Sequence, residues 1–221
     1  MNSFAEDMND FSDIRDAVRR VCAKFPGEYW RTLEETESYP SDFVVAMTEA
    51  GFLAALIPEA FGGSGLPLRA ASVILEEVHA SGCNAGACHA QMYIMGTLLR
   101  HGNDAQKSKF LPKIATGELR LQAFGVTEPT TGTDTTKLKT RAVRDGDHYV
   151  INGQKVWTSR ALYSDLMLLL ARTTPLEDVK KKTEGLSVFL VDMKAAGDAL
   201  TIKPLKAMVN HNTTEVFFDN M

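Results

Sequence analysis

The segment with the most chemical potential is Phe124–Asp134, FGVTEPTTGTD, in which Thr127, Thr130, Thr131 and Thr133 surround Pro129 and Gly132. A tight loop of this kind gathers hydroxyls and backbone N–H groups at one point. That set suits the edge of a polar planar ring or a phosphate. It also describes an ordinary threonine-rich turn bonded to itself. Further along, Trp157-Thr158-Ser159 closes a strand that opens at Gly153-Gln154-Lys155. An indole at a strand end can stack on a flat aromatic ligand while the adjacent hydroxyl bonds the ligand's edge. The alternative is a core tryptophan with a polar cap.

Other constellations carry less. His79, Cys83, Cys88 and His89 crowd one helical region, but their spacing matches no C-x₂₋₄-C…H-x₃₋₅-H zinc pattern. Cysteines among Ala and Gly read as small core packers, and the Met92/Met95 stripe reads as core. His101 and His211 stand alone. No Ser-His-Asp set, P-loop or G-x-G-x-x-G pattern is present.

The elements that must position these residues differ between the two halves. From Ser3 to about Gly117 apolar residues recur at helical spacing. The stripes are Ile14/Ala17/Val18/Val21/Phe25, Phe43/Ala46/Met47/Ala50, Leu68/Ala71/Leu75/Val78 and Met92/Met95/Leu99. Breaks fall at Pro26-Gly27, Tyr39-Pro40-Ser41, Gly62-Gly63-Ser64-Gly65, Gly82 and His101-Gly102-Asn103. Asn103 or Asp104 is placed to cap a further helix reaching Ala115. Five or six packed helices are expected.

After Leu121 the pattern changes to short apolar runs: Thr140–Val143, Tyr149–Ile151, Lys155–Thr158, Leu166–Ala171, Leu186–Val191, Thr201–Leu205 and Glu215–Phe218. Asp145-Gly146 and Asn152-Gly153 predict antiparallel hairpins. Thr174–Glu184, lysine-rich with one proline, reads as a solvated loop. The expected fold class is α+β multidomain: an all-α domain over residues 1–120, then a small antiparallel β-barrel or sandwich over 121–221.

Composition bounds the function. The chain has 221 residues, 44% apolar and 24% charged, with a formal net charge of −4. Those values exclude disorder and lack the basic face of a nucleic-acid or membrane-surface binder. Phe52–Ile57 and Leu166–Ala171, the longest apolar runs, fall far short of the roughly 20 residues of a membrane span. MNSFAEDMND has acidic residues where a secretory signal has basic ones. Three cysteines at unhelpful spacing fit a reducing compartment, so a cytoplasmic location is expected.

In combination the motifs resemble one family. AFGVTEPTTGTD, then INGQKVWTS, LLLART, GLSVFLVD and TTEVFFDN, together with IPEAFGGSGL at Ile57–Leu66, resemble the acyl-CoA dehydrogenase family. Their order and number make the resemblance specific. It implies an N-terminal helical domain, a middle β domain and a C-terminal helical domain, with FAD as cofactor. It further implies that Phe124 to Thr133 wraps the flavin. Val126 would contact it through the backbone, and Thr127 through its hydroxyl. Thr133 would meet both the FAD phosphate end and the thioester, Trp157 would cover one flavin face, and Ser159 would approach N5. Met95 and Leu99 would take part in chain-length selection.

The reaction implied is α,β-dehydrogenation of an acyl-CoA to the trans-2-enoyl-CoA, with electrons passed to an electron-transfer flavoprotein. The parent enzyme is expected to be a homo-oligomer, a tetramer or dimer. Two readings compete: an acyl-CoA oxidase or flavin monooxygenase on the same scaffold, and a non-catalytic flavin- or partner-binding module. The family pattern of Gly-Ala-Gly-Ser after TEP is here Thr130-Thr131-Gly132-Thr133, which puts a β-carbon at position 130 and a methyl at 133. The family's catalytic glutamate belongs to the C-terminal domain, so it is expected beyond Met221, and the 221 residues are expected to be a fragment. No catalytic residue is assigned, and Glu128 is read as part of a structural turn.

Overall fold

The computed structural model describes residues 11–221. The expected start of the helical half at Ser3, and the acidic N-terminal segment, lie outside the described residues. The chain divides into two compact units, one ending at Leu119 and the other beginning at Arg120.

The first unit is helical: α1 Ser12–Cys22, α2 Gly27–Glu35, α3 Ser41–Glu49, α4 Leu68–Ala80, α5 Gly86–His101 and α6 Asp104–Thr116. Five of these follow the stripes and the cap read from the sequence. The remaining one, α2, buries no residue fully; its Tyr29, Trp30 and Leu33 form a half-buried stripe that was not read from the sequence, with Tyr29 and Trp30 packed against the core. Val18, Phe43, Met47, Ile74, Val78 and Met92 form the core, and Cys22, Cys83 and Cys88 pack within it as small apolar groups. Burial and the neighbouring Cys83 thiol push the Cys22 thiol up to about 12, so it stays protonated. Asn103 is the residue that caps α6: its side chain accepts from Gln106 N–H at 2.8 Å while Gln106 Oε1 accepts from Asn103 N–H at 3.0 Å.

The second unit is a curled seven-stranded sheet: β1 Leu121–Gly125, β2 Arg141–Asp145, β3 His148–Ser159, β4 Leu166–Arg172, β5 Leu186–Asp192, β6 Leu200–Pro204 and β7 Thr213–Phe218. β5 pairs one edge of β4; β1 and then the start of β2 pair the other. β3 joins β2 to β7, and β6 closes the order. Ala123, Ile151, Met167, Leu169, Val216 and Phe218 fill its core.

Two expectations need correction. The expected antiparallel sheet is mixed, because β1 and the start of β2 run parallel to β4, whereas the β2–β3, β4–β5, β3–β7 and β6–β7 pairs are antiparallel. Asn152-Gly153 is not a hairpin turn either. β3 runs straight through it and changes partner there, pairing β2 up to Asn152 and β7 from Gly153. Gly153 is required because a Cβ would lie 2.5 Å from Thr140 Oγ1 and 2.7 Å from Thr140 Cα. A strand that changes partner at a corner needs a residue whose backbone can be approached closely. The Asp145-Gly146 hairpin forms, with Asp145 paired to His148 across Gly146-Asp147.

Candidate functional site

The candidate site is built on one end of the β unit by a turn, a buried ion pair and a bulge. Glu128 and Thr131 exchange backbone hydrogen bonds of 3.1 and 3.0 Å, closing the TEPT turn. The Glu128 carboxylate then points inward. It accepts from Lys139 N–H at 2.6 Å, from Thr140 N–H at 2.8 Å and from Lys155 Nζ at 2.9 Å. Lys155 Nζ also donates to Val126 O at 3.0 Å, and Val156 N–H donates to Thr127 O at 2.8 Å. The loop is thereby fastened to β3 at Val126, Thr127 and Glu128.

The Lys155–Glu128 pair is sealed from solvent, with side-chain exposures of 0% and 4%. Burial alone would raise Glu128, but the donated N–H groups of Lys139 and Thr140 and the Lys155 ammonium outweigh it and hold the carboxylate below its usual range. Burial pulls Lys155 below its ordinary value, and the Glu128 charge opposes that pull. An acid engaged by three donors is a structural anchor rather than a free base, which agrees with the turn role read from the sequence.

β3 carries a bulge between Lys155 and Thr158. Period-two alternation would place Trp157 on the buried side with Lys155. The bulge instead turns it outward, with φ at +62° and 62% of its surface exposed. The core reading of this tryptophan is therefore overturned. A left-handed conformation costs a non-glycine residue about 1–2 kcal/mol, and such outliers collect at ligand sites. Arg160 adopts the same φ, so two left-handed residues bracket Thr158 and Ser159. Thr158 is buried, and its Oγ1 has no partner among the described residues.

The structure thus fastens Val126 and Thr127 to β3 at Lys155 and Val156, with Trp157 and Ser159 following on the same strand. The carbonyls of Val126 and Thr127 are used internally, which leaves N–H groups and the Thr127 hydroxyl for a ligand. Thr133 is exposed on the same loop, and Phe124 points outward from β1 with 38% exposure. Thr130 is exposed and needs no left-handed backbone, so its β-carbon costs nothing. Met95 and Leu99 lie on α5 of the helical unit; Met95 is fully buried and Leu99 half-buried. His79, Cys83, Cys88 and His89 do not converge, since among the described residues no three His, Cys, Asp or Glu side chains are arranged to hold a metal.

Lys155 escaped the sequence reading. Its signal was there: a lysine in register with Ile151 on the apolar face of a strand requires a buried acid, and Glu128 is the acid in the nearby turn.

Among the described residues the chain is thus a helical unit followed by a curled mixed sheet that carries an exposed indole next to its threonine-bearing loop. Comparison with known proteins gives it a family. The model for the acyl-CoA dehydrogenase N-terminal domain matches residues 9–118, and that for the acyl-CoA dehydrogenase middle domain matches 123–221. The acyl-CoA dehydrogenase FadE26 of Mycobacterium tuberculosis is 35% identical over 80% of this chain and 44% of its own length. The (2S)-methylsuccinyl-CoA dehydrogenase of Cereibacter sphaeroides is 38% identical over 84% of this chain and 34% of its own. The crystal structure of acyl-CoA dehydrogenase from Geobacillus kaustophilus superposes with a TM-score of 0.84 at 29% identity, covering 94% of this chain and 54% of that one. The chain belongs to the acyl-CoA dehydrogenase family, and it spans about half the length of these relatives or less. Members of this family are FAD flavoproteins.

Proposed function

We propose that the protein of which this chain forms the N-terminal and middle parts is an FAD-dependent acyl-CoA dehydrogenase. It would convert an acyl-CoA thioester to the trans-2-enoyl-CoA and pass electrons to an electron-transfer flavoprotein. The observation that carries the reading is Trp157, held outward by a strained bulge beside Thr127 and Ser159. A solvent-facing indole packs little of its surface in this unit, and it can cover a flat ring and keep water from one of its faces.

The residues present fit a flavin: an aromatic cover, hydroxyls at Thr127 and Ser159 for the ring's polar edge, and Thr133 exposed on the loop. FAD bound there would supply the acceptor for the hydride leaving the β-carbon of the substrate. The chain's own contribution is orientation. Lys155 and Glu128 fix the loop, the loop fixes Thr127, and the bulge fixes Trp157 and Ser159. Thr133 would also meet the thioester, and Met95 and Leu99 would shape the acyl end. The Val126 N–H and Phe124 complete the cofactor contacts. No residue here is assigned the removal of the α-proton.

A cytoplasmic location and a homo-oligomeric state, tetramer or dimer, belong to the same proposal. Among the described residues no helix is long and apolar enough to cross a membrane.

The test is anaerobic titration of the full-length, FAD-loaded protein with acyl-CoAs of graded length. Bleaching of the flavin absorption followed by slow reoxidation in air supports the dehydrogenase. Bleaching with rapid peroxide release would move the assignment to an acyl-CoA oxidase. No bleaching with any thioester overturns it.

A further inference from the structure

Ser159, expected to face the flavin, is itself held by a residue that sequence patterns do not single out. We propose that Asn210 is a positioning residue that fixes the Ser159 hydroxyl as a hydrogen-bond donor toward the bound flavin; the inference rests on the flavin reading above.

The arrangement begins in the β3–β7 register, which places Ser159 opposite Thr213. Thr213 is buried and grips the turn before it, because both its N–H and its Oγ1 donate to Asn210 O, at 3.1 and 2.9 Å. Arg160 N–H donates to Asn212 O at 2.7 Å, fastening the same turn to the end of β3. Asn210 adopts φ +61°, a left-handed conformation that Asn tolerates better than other side-chain-bearing residues. Its side chain folds back so that Nδ2 donates to Ser159 Oγ at 3.1 Å.

A serine hydroxyl carries one proton and two acceptor sites. With one acceptor site taken by Asn210 Nδ2–H, the proton remains to be given. The oxidised flavin N5 is a lone-pair acceptor, so a hydroxyl arranged in advance as a donor is matched to it. Once N5 carries a proton, the second acceptor site of Ser159 can receive its N–H without disturbing Asn210. One residue therefore serves both redox states of the ring while its orientation is set from the adjoining turn. Solvent competes for this exposed bond until a ligand covers it, which makes the bond worth most in the loaded protein.

Asn210→Asp tests this with near-constant shape and backbone preference. The carboxylate accepts only, so it would claim the Ser159 proton and turn the hydroxyl away from the ligand. Asn210→Gly keeps the left-handed turn and removes the side chain. In the full-length apoprotein titrated with oxidised FAD, Asn210→Asp is expected to weaken binding by about tenfold and Asn210→Gly by a few-fold, the scale of one hydrogen bond. The visible flavin spectrum should shift with the former. In a Ser159→Ala background the Asn210→Asp effect should fall below about twofold, because the route through the hydroxyl is gone. Wild-type affinity and spectrum in both Asn210 variants would overturn the proposal. So would an undiminished Asn210→Asp effect in the Ser159→Ala background, since charge alone would then explain it. A wild-type protein that takes up no FAD would sink the flavin reading first, a result distinct from either of these.

Discussion

The two tryptophans of this chain sit in opposite circumstances. Trp30, in the helical unit, meets Tyr29 and Phe43 edge-on at 5.1 and 5.0 Å, and its Nε1–H donates to Phe25 O at 3.1 Å. Trp157, in the β unit, stands out from a bulge at 62% exposure in a backbone conformation that disfavours it. One indole contributes to folding and the other is maintained at some expense to it. The same contrast separates the two paired carboxylates. Glu77 joins α4 to α1 through Arg19 at 2.7 Å and Arg15 at 3.1 Å, with the Arg19 side chain 54% exposed. Glu128 joins the site loop to β3 through a lysine with no exposure at all. The helical unit's buried carboxylate reaches solvent through Arg19, and the β unit seals its pair completely to hold a loop still.

The sharpest way to break this contrast is to remove one member of each pair. Lys155→Met should be the most damaging substitution in the chain. It leaves Glu128 charged and buried, a change that costs about 3–5 kcal/mol, and it frees Val126 O. Urea unfolding should show that loss. A decrease below about 1 kcal/mol would mean that water reaches the carboxylate. Trp30→Ala should follow, losing about 2–3 kcal/mol through its two edge-on aromatic neighbours and its hydrogen bond. Glu77→Gln should cost less, about 1–2 kcal/mol, because a neutral amide still accepts from the arginines.

How much of this was legible in the sequence depended on whether local chemistry or strand pairing decided the matter. The Asn103 cap, the cysteine packing and the Asp-Gly hairpin follow from residues close in sequence, and all were read. Asn152-Gly153 has the same turn chemistry as Asp145-Gly146, yet it became a strand corner because Thr140 presses on Gly153 from another part of the chain. The parallel β1–β4 pairing depends on a crossover that no local signal encodes. For the site, the hydroxyl loop and the indole were legible as residue types. The bulge that exposes the indole was not, since alternation along β3 points it inward.

Gly153→Ala isolates that corner. The added methyl would meet the Thr140 backbone and side chain at a φ of +151°, so a loss of about 1–3 kcal/mol is expected. A double variant, Gly153→Ala with Thr140→Ala, should recover only part of it, because the clashing Oγ1 is removed while Thr140 Cα and Cβ remain among the clashing atoms.

Acid unfolding sharpens the carboxylate comparison. Both Glu77 and Glu128 are held below their usual range, Glu77 chiefly by the Arg19 hydrogen bond working against burial. A depressed carboxylate contributes stability that is fully present above its ordinary value of 4.5 and is lost as pH falls through the lower folded value. Stability should therefore hold from neutral pH to about pH 5 and then fall with a slope shared by the two residues. Salt distinguishes them. Raising ionic strength to about 1 M should shrink the Glu77 share, which faces solvent through Arg19, and leave the sealed Glu128 share intact. An acid slope that salt removes entirely, or that survives unchanged in Glu77→Gln, would contradict this division.

The smallest expected effect on stability is the most informative about the site. Trp157→Gly removes a large side chain, yet little of it is packed. Glycine adopts φ +62° freely, which recovers about 1–2 kcal/mol of backbone strain. Against that gain stands the greater entropy glycine has in the unfolded chain, about 0.5–1 kcal/mol, together with the modest contact area lost. The terms nearly cancel, so the melting transition should move by no more than a degree or two in either direction. FAD retention in the full-length protein should drop sharply in the same variant, because one face of the ring loses its cover. A fold that tolerates the change while cofactor binding does not would separate the two tryptophans by function. A large fall in melting temperature would instead make Trp157 a structural residue like Trp30 and remove the main support for the flavin reading.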